Sequence, residues 1–399
     1  MADVRDLDGP VGRYLEAGLR VGRHLDGMVD AYYGPADLAA RVDDEPRREL
    51  PALVDDLRSL VAGVDAGDGD LDATRRRWLR AQAAGLHTAA RKLAGDEVAF
   101  VDEVESCYGV RPTFVDHDVL AEAHRRLDAV LPGPGPLAER YDAWRTSHLM
   151  TTEQLIAAVG ALAEAFRERT AALFTLPEGE HVTFELVSDE PWSGFNYYEG
   201  DLTSRVAINT DLPMSSAAIG HLIAHEAYPG HHTEHCRKEV GLVRRRRQLE
   251  ESIFLVGTPQ CLMAEGLADT ALEALLGPTP EPQLAEVLHP LGIRYDTEVV
   301  AAVAGAGEAL AAVRGNAALL LHDRGRPEEE AVAELERWGL QSPERAHKAI
   351  GFLTHPTWRA YIFCYIAGHP LCRAFVARDP GRFERLLTEQ LTPADLVAA

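Results

Sequence analysis

Proline 229 constrains this chain more than any other residue. The segment His221-Leu-Ile-Ala-His-Glu-Ala-Tyr-Pro-Gly-His-His-Thr-Glu-His235 gathers five of the chain's 16 histidines into 15 positions. Ser215 and Ser216 offer N-caps for a helix that runs straight into this cluster. Proline has no N–H for the carbonyl four residues earlier, which is that of His225, and its ring crowds that carbonyl. The helix must therefore bulge or kink among the histidines.

The residue types around that break are those of a metal site. In the zincin arrangement, two histidines four apart on one helix hold zinc, and a glutamate beside the first polarises the attacking water. His225-Glu226 opens this pattern. A local bulge absorbs extra residues and returns the next side chain to the original face, which makes His231 the best second ligand. His232 is the fallback, since a spacing of seven nearly restores the face two turns further along. The pairs His221/His225 and His231/His235 are each four apart and stay open as alternatives, although neither has a glutamate directly after its first histidine. For the third ligand the downstream acids are Glu250, Glu251, Glu265 and Asp269. Glu265 is preferred because Ala264-Glu-Gly-Leu-Ala268 is an apolar helical run, where a carboxylate needs a cationic partner. An arginine could supply that partner as well as a metal could. Asp269, one turn on, is placed to orient a ligand histidine.

The rest of the chain reads as helical scaffold. Apolar residues from Val11 to about Leu173 recur at helical spacing, as in Val54, Leu57, Leu60 and Val61, with turns at Tyr33-Gly-Pro35, Gly109 to Pro112 and Pro132 to Pro136. Period-two alternation appears in His181 to Val187, and Ser204 to Asn209 is β-prone. With Trp192 to Tyr198 between them, these predict a short antiparallel pair with an aromatic loop. From Arg244 to Leu396 the pattern is helical again, broken at Gly277 to Pro282 and at His355-Pro356. The expectation is one large helical domain over 1–399, with a division into two lobes, an N-terminal helical lobe, 1–175, and a zinc-binding lobe, 176–399, as the alternative.

Charge and cysteine content narrow the partners. With 63 acidic and 40 basic side chains the net charge is -23, which repels phosphate backbones and anionic headgroups, so neither nucleic acid nor membrane is an expected partner. The start carries no basic n-region or apolar h-region, and no run approaches about 18 apolar residues. Five cysteines without a CxxC pair argue against a disulfide framework. A reduced, cytoplasmic protein is expected. Arg244 to Arg247 reads as a solvated face.

The string His225-Glu-Ala-Tyr-Pro-Gly-His-His232, with Ile208-Asn-Thr210 before it and Glu265-Gly-Leu-Ala268 after it, resembles the signature of a bacterial family catalogued as domain of unknown function 885. That family is similar to the gluzincin peptidases of the thimet oligopeptidase and neurolysin group. The resemblance, firmest over Val206 to Ala271, implies a mainly α, zincin-like (neurolysin-like) helical fold with a small antiparallel β-sheet beside the active-site helix. It also implies one Zn2+ ion and short peptide substrates. Phe352 to Gly368 is similar to the segment in which such oligopeptidases carry transition-state histidine and tyrosine side chains. By that likeness Tyr365 donates to the oxyanion, assisted by His355 or Arg359. Leu267 stands where the family usually has tryptophan, and Tyr361, on one helical face with Tyr365, where it commonly has glutamine.

The expected mechanism has Glu226 take a proton from the zinc-activated water and pass it to the leaving amine, with Tyr365 steadying the oxyanion. The strand at Val206 to Asn209 would hold the peptide by edge addition, and Trp192, Phe195, Tyr197 and Tyr198 would line its pockets. Two other functions fit the same residues: metal-dependent hydrolysis of a non-peptide amide or ester, and a non-catalytic helical scaffold that binds metal structurally or not at all.

Overall fold

A computed structural model describes residues 7–190, 192–211 and 213–398. The protein is mainly helical, with two small sheets. Helices α1 (Pro10–Gly22), α2 (Ala36–Asp44), α3 (Leu50–Ala66), α4 (Ala73–Leu93), α5 (Phe100–Tyr108), α6 (His117–Val130), α7 (Leu137–Ser147) and α8 (Thr152–Phe174) form its first part, with strand β1 (Val29–Tyr32) after α1. Strands β2 (His181–Val187), β3 (Gly194–Gly200) and β4 (Thr203–Asn209) lead into α9 (Ser216–Glu226) and α10 (His231–Lys238). After β5 (Ile253–Leu255) come α11 (Pro259–Leu276), α12 (Glu281–Leu288), α13 (Thr297–His322), α14 (Glu328–Trp338), α15 (Pro343–Thr354), α16 (Ile362–Ala377), α17 (Arg382–Thr388) and α18 (Pro393–Ala398).

The local chemistry explains the starts of these helices. Asp72 caps α4 by accepting from the Thr74 and Arg75 N–H groups at 2.9 Å, and Thr151 with Gln154 forms a reciprocal capping box on α8. Ser215 caps α9 as its sequence foretold, through the Ala217 N–H.

The three-stranded sheet differs from the antiparallel pair expected. Its order is β2-β4-β3, with β2 parallel to β4 and β3 antiparallel to it. The aromatic segment is itself a strand, because Gly200, Asp201 and Leu202 adopt left-handed φ values of 80°, 49° and 63° and fold it tightly back on β4. The antiparallel place beside β4 is thereby taken, and β2 joins the opposite edge in parallel. β4 is consequently the central strand, with Val206 and Ile208 both at 0% exposure. It has no free edge to offer a peptide, so the edge-addition expectation for Val206 to Asn209 does not hold.

Apolar side chains separate into two cores. Tyr14, Leu53, Leu57, Trp78 and Leu79 from α1, α3 and α4 pack around Ile253 and Leu255 of β5. A larger core joins α5 to α8 with the helices from α9 onward. At its centre α11 and α16 approach backbone to backbone. A Cβ at Gly266 would lie 2.4 Å from the Gly368 oxygen, and one at Gly368 would lie 2.7 Å from the Leu262 oxygen. Only paired glycines permit this spacing, and it brings Glu265 of α11 against Tyr361 at the start of α16. All five cysteines are buried and unpaired. Among the described residues no helix is long and apolar enough to cross a membrane.

Candidate metal centre

The chain does not bulge at Pro229; it breaks. α9 ends at Glu226 and α10 begins at His231, with the cis Tyr228–Pro229 peptide between them. The Gly230 N–H reaches back to the Ala224 carbonyl at 2.9 Å. A Cβ at 230 would sit 1.9 Å from the His225 carbonyl oxygen, so the return is open only to glycine. A wide π-helical stretch does occur, but later, at Glu239–Arg245.

This break turns two imidazoles toward one carboxylate. His225 Nε2 lies 3.1 Å from His231 Nε2 and 3.3 Å from Glu265 Oε2, and His231 Nε2 lies 3.9 Å from the same oxygen. Tetrahedral zinc with ligand bonds of 2.0–2.1 Å separates neighbouring ligand atoms by roughly 3.3 Å. The three atoms fit that spacing. Among the described residues Glu265 Oε2 is also buried without a well-formed hydrogen bond, an acceptor that a cation would satisfy. Glu265 Oε1 is occupied separately by the Tyr361 hydroxyl at 2.6 Å.

Behind His225 stands Asp269, 3.0 Å from Nδ1, the arrangement that fixes the tautomer of a metal-binding imidazole. Burial works against the Asp269 charge, yet hydrogen bonds from His221 and His225 hold its carboxyl well below the usual range. His221, His225 and Asp269 form a second group with metal-ligand spacing, but the His221 ring is about half exposed, at 48%, and the group would take the nitrogen that Asp269 orients.

The other candidates are placed elsewhere. His232 is fully buried, 2.9 Å from Glu180 and 2.8 Å from the Ser204 hydroxyl. His235 stacks on Tyr198 at 4.6 Å. Glu250 pairs with Arg75 at 2.8 Å, and Glu251 lies beside Lys238, with burial pushing its carboxyl up to about 7. Arg359 is engaged with Glu103 at 3.0 Å. His355 does not join the group: it is exposed beyond the end of α15, where its Nδ1 accepts from the Thr357 N–H and its ring meets Trp358. Tyr365 lies against Tyr361, centroids 5.7 Å apart, and is 37% exposed. Arg244 pairs with Glu239 and Asp201.

Glu226, adjacent to His225, is buried, and no hydrogen bond holds its carboxylate among the described residues. Burial pushes its pKa up, while His225 and His231 pull the other way. Its backbone carbonyl accepts a 2.6 Å bond from Asn196 Nδ2, so the inward face of β3 fixes the end of α9. On the outward face, Trp192, Phe195 and Tyr197 pack on one another, with centroid distances of 4.6 to 6.4 Å, and Arg205 covers Tyr197. They form a cluster of their own, and Tyr198 points inward to His235.

Sequence reasoning missed Asn196 and Asp30. Asp30 occupies the register shift where β1 pairs with β5, between Val29 and Ala31. Such shifts re-aim a side chain. Burial pushes its carboxyl up to about 7, and the charges of Glu265 and Glu226 add to this. Only the bulge could have revealed it, and a bulge leaves no mark on a four-residue strand.

No family model matches the chain, and no curated protein matches it, so the likeness to the domain of unknown function 885 family rests on its motif residues. Solved structures do match. One, described as a candidate lipoprotein from Colwellia psychrerythraea, aligns with a TM-score of 0.53 and 17% identity over 87% of this chain. The chain spans 65% of that protein's length. A second, a candidate lipoprotein of unknown function from Shewanella oneidensis, gives 0.50 and 14% over 97% of this chain and 81% of its own. These likenesses are of fold. The M32 carboxypeptidase from Deinococcus radiodurans R1 aligns over 99% of this chain and 95% of its own at 12% identity, with a TM-score of 0.41.

Chemically, the centre offers two imidazole nitrogens, one carboxylate oxygen and an adjacent glutamate whose carboxylate has no hydrogen-bond partner among the described residues. That donor set suits zinc, and three ligands leave one tetrahedral position open.

Proposed function

We propose that this chain is a zinc-dependent metallopeptidase acting on short peptides, with His225, His231 and Glu265 holding one Zn2+ and Glu226 as general base. One observation carries the reading: two imidazole nitrogens converge on a buried Glu265 oxygen that has no other polar partner among the described residues. The bound ion would supply Lewis-acid chemistry, an acidified water and a polarised carbonyl. Glu226, raised in pKa by burial, takes a proton from the nucleophilic water and returns it to the leaving nitrogen. Asp269 keeps the His225 Nδ1–H in place, and Tyr361 keeps Glu265 turned. Tyr365, exposed beside Tyr361, donates to the developing oxyanion. The five unpaired, buried cysteines support a reducing compartment, and we assign the chain to the cytoplasm.

The test is zinc content and peptide turnover, measured on protein purified without chelators and on Glu226→Gln. We expect one zinc per chain in both, with turnover on a mixed peptide library falling at least about a hundredfold in the variant. Zinc-free wild-type protein, turnover retained by Glu226→Gln, or hydrolysis confined to non-peptide esters and amides would overturn the proposal.

A further inference from the structure

One carboxylate oxygen spans the break between α9 and α10. Glu180 stands just before β2, its side chain closed off from solvent, and its two oxygens are divided between different neighbours. Oε1 accepts from Arg167 of α8 at 2.6 Å. Oε2 accepts from the Tyr228 hydroxyl at 2.8 Å and lies 2.9 Å from His232 Nε2. Tyr228 precedes Pro229 and His232 follows Gly230 by two positions, so a single atom holds the chain on both sides of the cis peptide and the glycine return.

The other side of the His232 ring is held as well. A carboxylate only accepts, which places the ring hydrogen on Nε2 and leaves Nδ1 to accept from the buried Ser204 hydroxyl of β4 at 2.8 Å. From β3, Asn196 holds the Glu226 carbonyl at 2.6 Å. The small sheet therefore grips the end of α9 through one strand and the start of α10 through the other two.

The start of α10 depends on this support. No side chain caps it, and the first turn of a helix, whose N–H groups lack intrahelical partners, is the part that frays. His231 is its first residue. Successive side chains on an α-helix diverge by about 100°. Fixing His232 at the rear therefore fixes the direction in which His231 leaves the helix toward His225, 3.1 Å away between Nε2 atoms. Burying a carboxylate, an imidazole and two hydroxyls costs dehydration that apolar side chains of similar size would avoid. What the polar set supplies in exchange is direction.

We propose that Glu180 is a positioning residue for the metal centre: through Tyr228 and His232 it holds His231 at the spacing from His225 that the ion requires. The ion belongs to the metallopeptidase reading; the brace stands on its own hydrogen bonds.

The experiment compares wild type with Glu180→Leu, Glu180→Gln, Tyr228→Phe and Leu57→Ala, by zinc competition with a chromophoric chelator and by the visible spectrum of cobalt-substituted protein. Leucine keeps much of the volume and deletes both acceptors. Glutamine can still accept from Arg167 while its amide donates to the Tyr228 oxygen and to Nε2 of the other His232 tautomer. We expect zinc affinity to fall about tenfold in Glu180→Leu and less in Tyr228→Phe, with an altered cobalt spectrum in both, and to stay within about twofold of wild type in Glu180→Gln. Leu57→Ala, in the separate core of α1, α3 and α4, should lower the melting temperature and leave affinity and spectrum unchanged.

Unchanged affinity and spectrum in Glu180→Leu would overturn the assignment, and so would an equal loss in Leu57→Ala, which would mark a general effect of stability. A loss in Glu180→Gln as large as in Glu180→Leu would replace the brace by a simple effect of charge. If Glu180→Leu does not fold, Tyr228→Phe decides: lowered affinity supports the brace and unchanged affinity overturns it. Wild-type protein that takes up no zinc would sink the metallopeptidase reading alone. The brace is then read in crystals of metal-free wild type and Tyr228→Phe, where the 3.1 Å separation of His225 and His231 should change in the variant, and an identical separation would overturn it.

Discussion

Tyr361 donates a 2.6 Å hydrogen bond to Glu265 Oε1, and this leaves Oε2 facing the two histidines. The phenol divides the carboxylate between a structural partner and the proposed ion. Tyr361→Phe removes the hydroxyl and keeps the ring, so the fold should survive. Groups that orient a metal ligand typically contribute 10- to 100-fold in affinity, and we expect a zinc affinity loss of about tenfold or more, read by competition with a chromophoric chelator. Unchanged affinity would separate Tyr361 from the centre.

Removing the metal should also cost stability. A ligand that binds only the folded state stabilises by about 2.7 kcal/mol at a hundredfold excess over Kd. Zinc added to chelator-stripped protein should therefore raise the melting temperature by several degrees. His231→Ala should abolish the increase, whereas His232→Ala should lower the baseline and keep the increase. The opposite pattern would exchange the roles of the two residues.

Glu180 is a buried anchor for the far side of the same segment, accepting from Tyr228 at 2.8 Å and from Arg167 at 2.6 Å while His232 lies at 2.9 Å. Burial alone would raise its pKa, but these hydrogen bonds prevail and hold it below the usual carboxylate range. A folded pKa below the unfolded one adds stability at pH values above the unfolded value, near 4.3, and this is lost as pH falls toward the folded value. Acid titration of the melting temperature should show a limb that begins near pH 4 and is flatter in Glu180→Gln. Glu180→Ala, which strips the partner from buried groups, should cost about 3 kcal/mol at neutral pH. An identical acid limb in wild type and Glu180→Gln would refute this account.

Gly266→Ala tests the contact between α11 and α16. The added Cβ would meet the Gly368 oxygen at 2.4 Å, and backbone has little room to yield. Overpacking of this kind costs about 1–3 kcal/mol and sometimes more. Since Glu265 and Tyr361 lie at this contact, zinc affinity should fall together with stability in chemical denaturation. An alanine tolerated on both counts would mean that the helices slide apart freely.

The sequence was most informative where chemistry and geometry coincide. The structure brings His225, His231 and Glu265 together, with Asp269 bonded to His225 Nδ1 and Glu226 next to His225 in the chain. The consequence of Pro229 was right in kind and wrong in form. A bulge and a break both accommodate the missing N–H, and it is Gly230, where a Cβ would lie 1.9 Å from the His225 carbonyl oxygen, that allows the break. Strand direction was misread because period-two alternation is blind to pairing; the turn at Gly200-Asp201 was the available signal. Tyr365 stands beside Tyr361, which bonds Glu265, whereas His355, expected from the family likeness alone, is carried away by the turn following α15. Asp30 was out of reach, since only the register shift between Val29 and Ala31, where β1 pairs with β5, re-aims it.

An unbroken helix would couple His225 and His231, the two proposed ligands, to its own repeat, about 5.4 Å of rise per turn, and any change in their separation would rotate one of them off the face. The interruption at Ala227 to Gly230 uncouples them. His231 opens its own helix, whose heading is set by the Glu180 and Tyr198 contacts behind it. The bite of the histidine pair can thus be tuned from the rear of α10 while the glutamate at the end of α9 stays put.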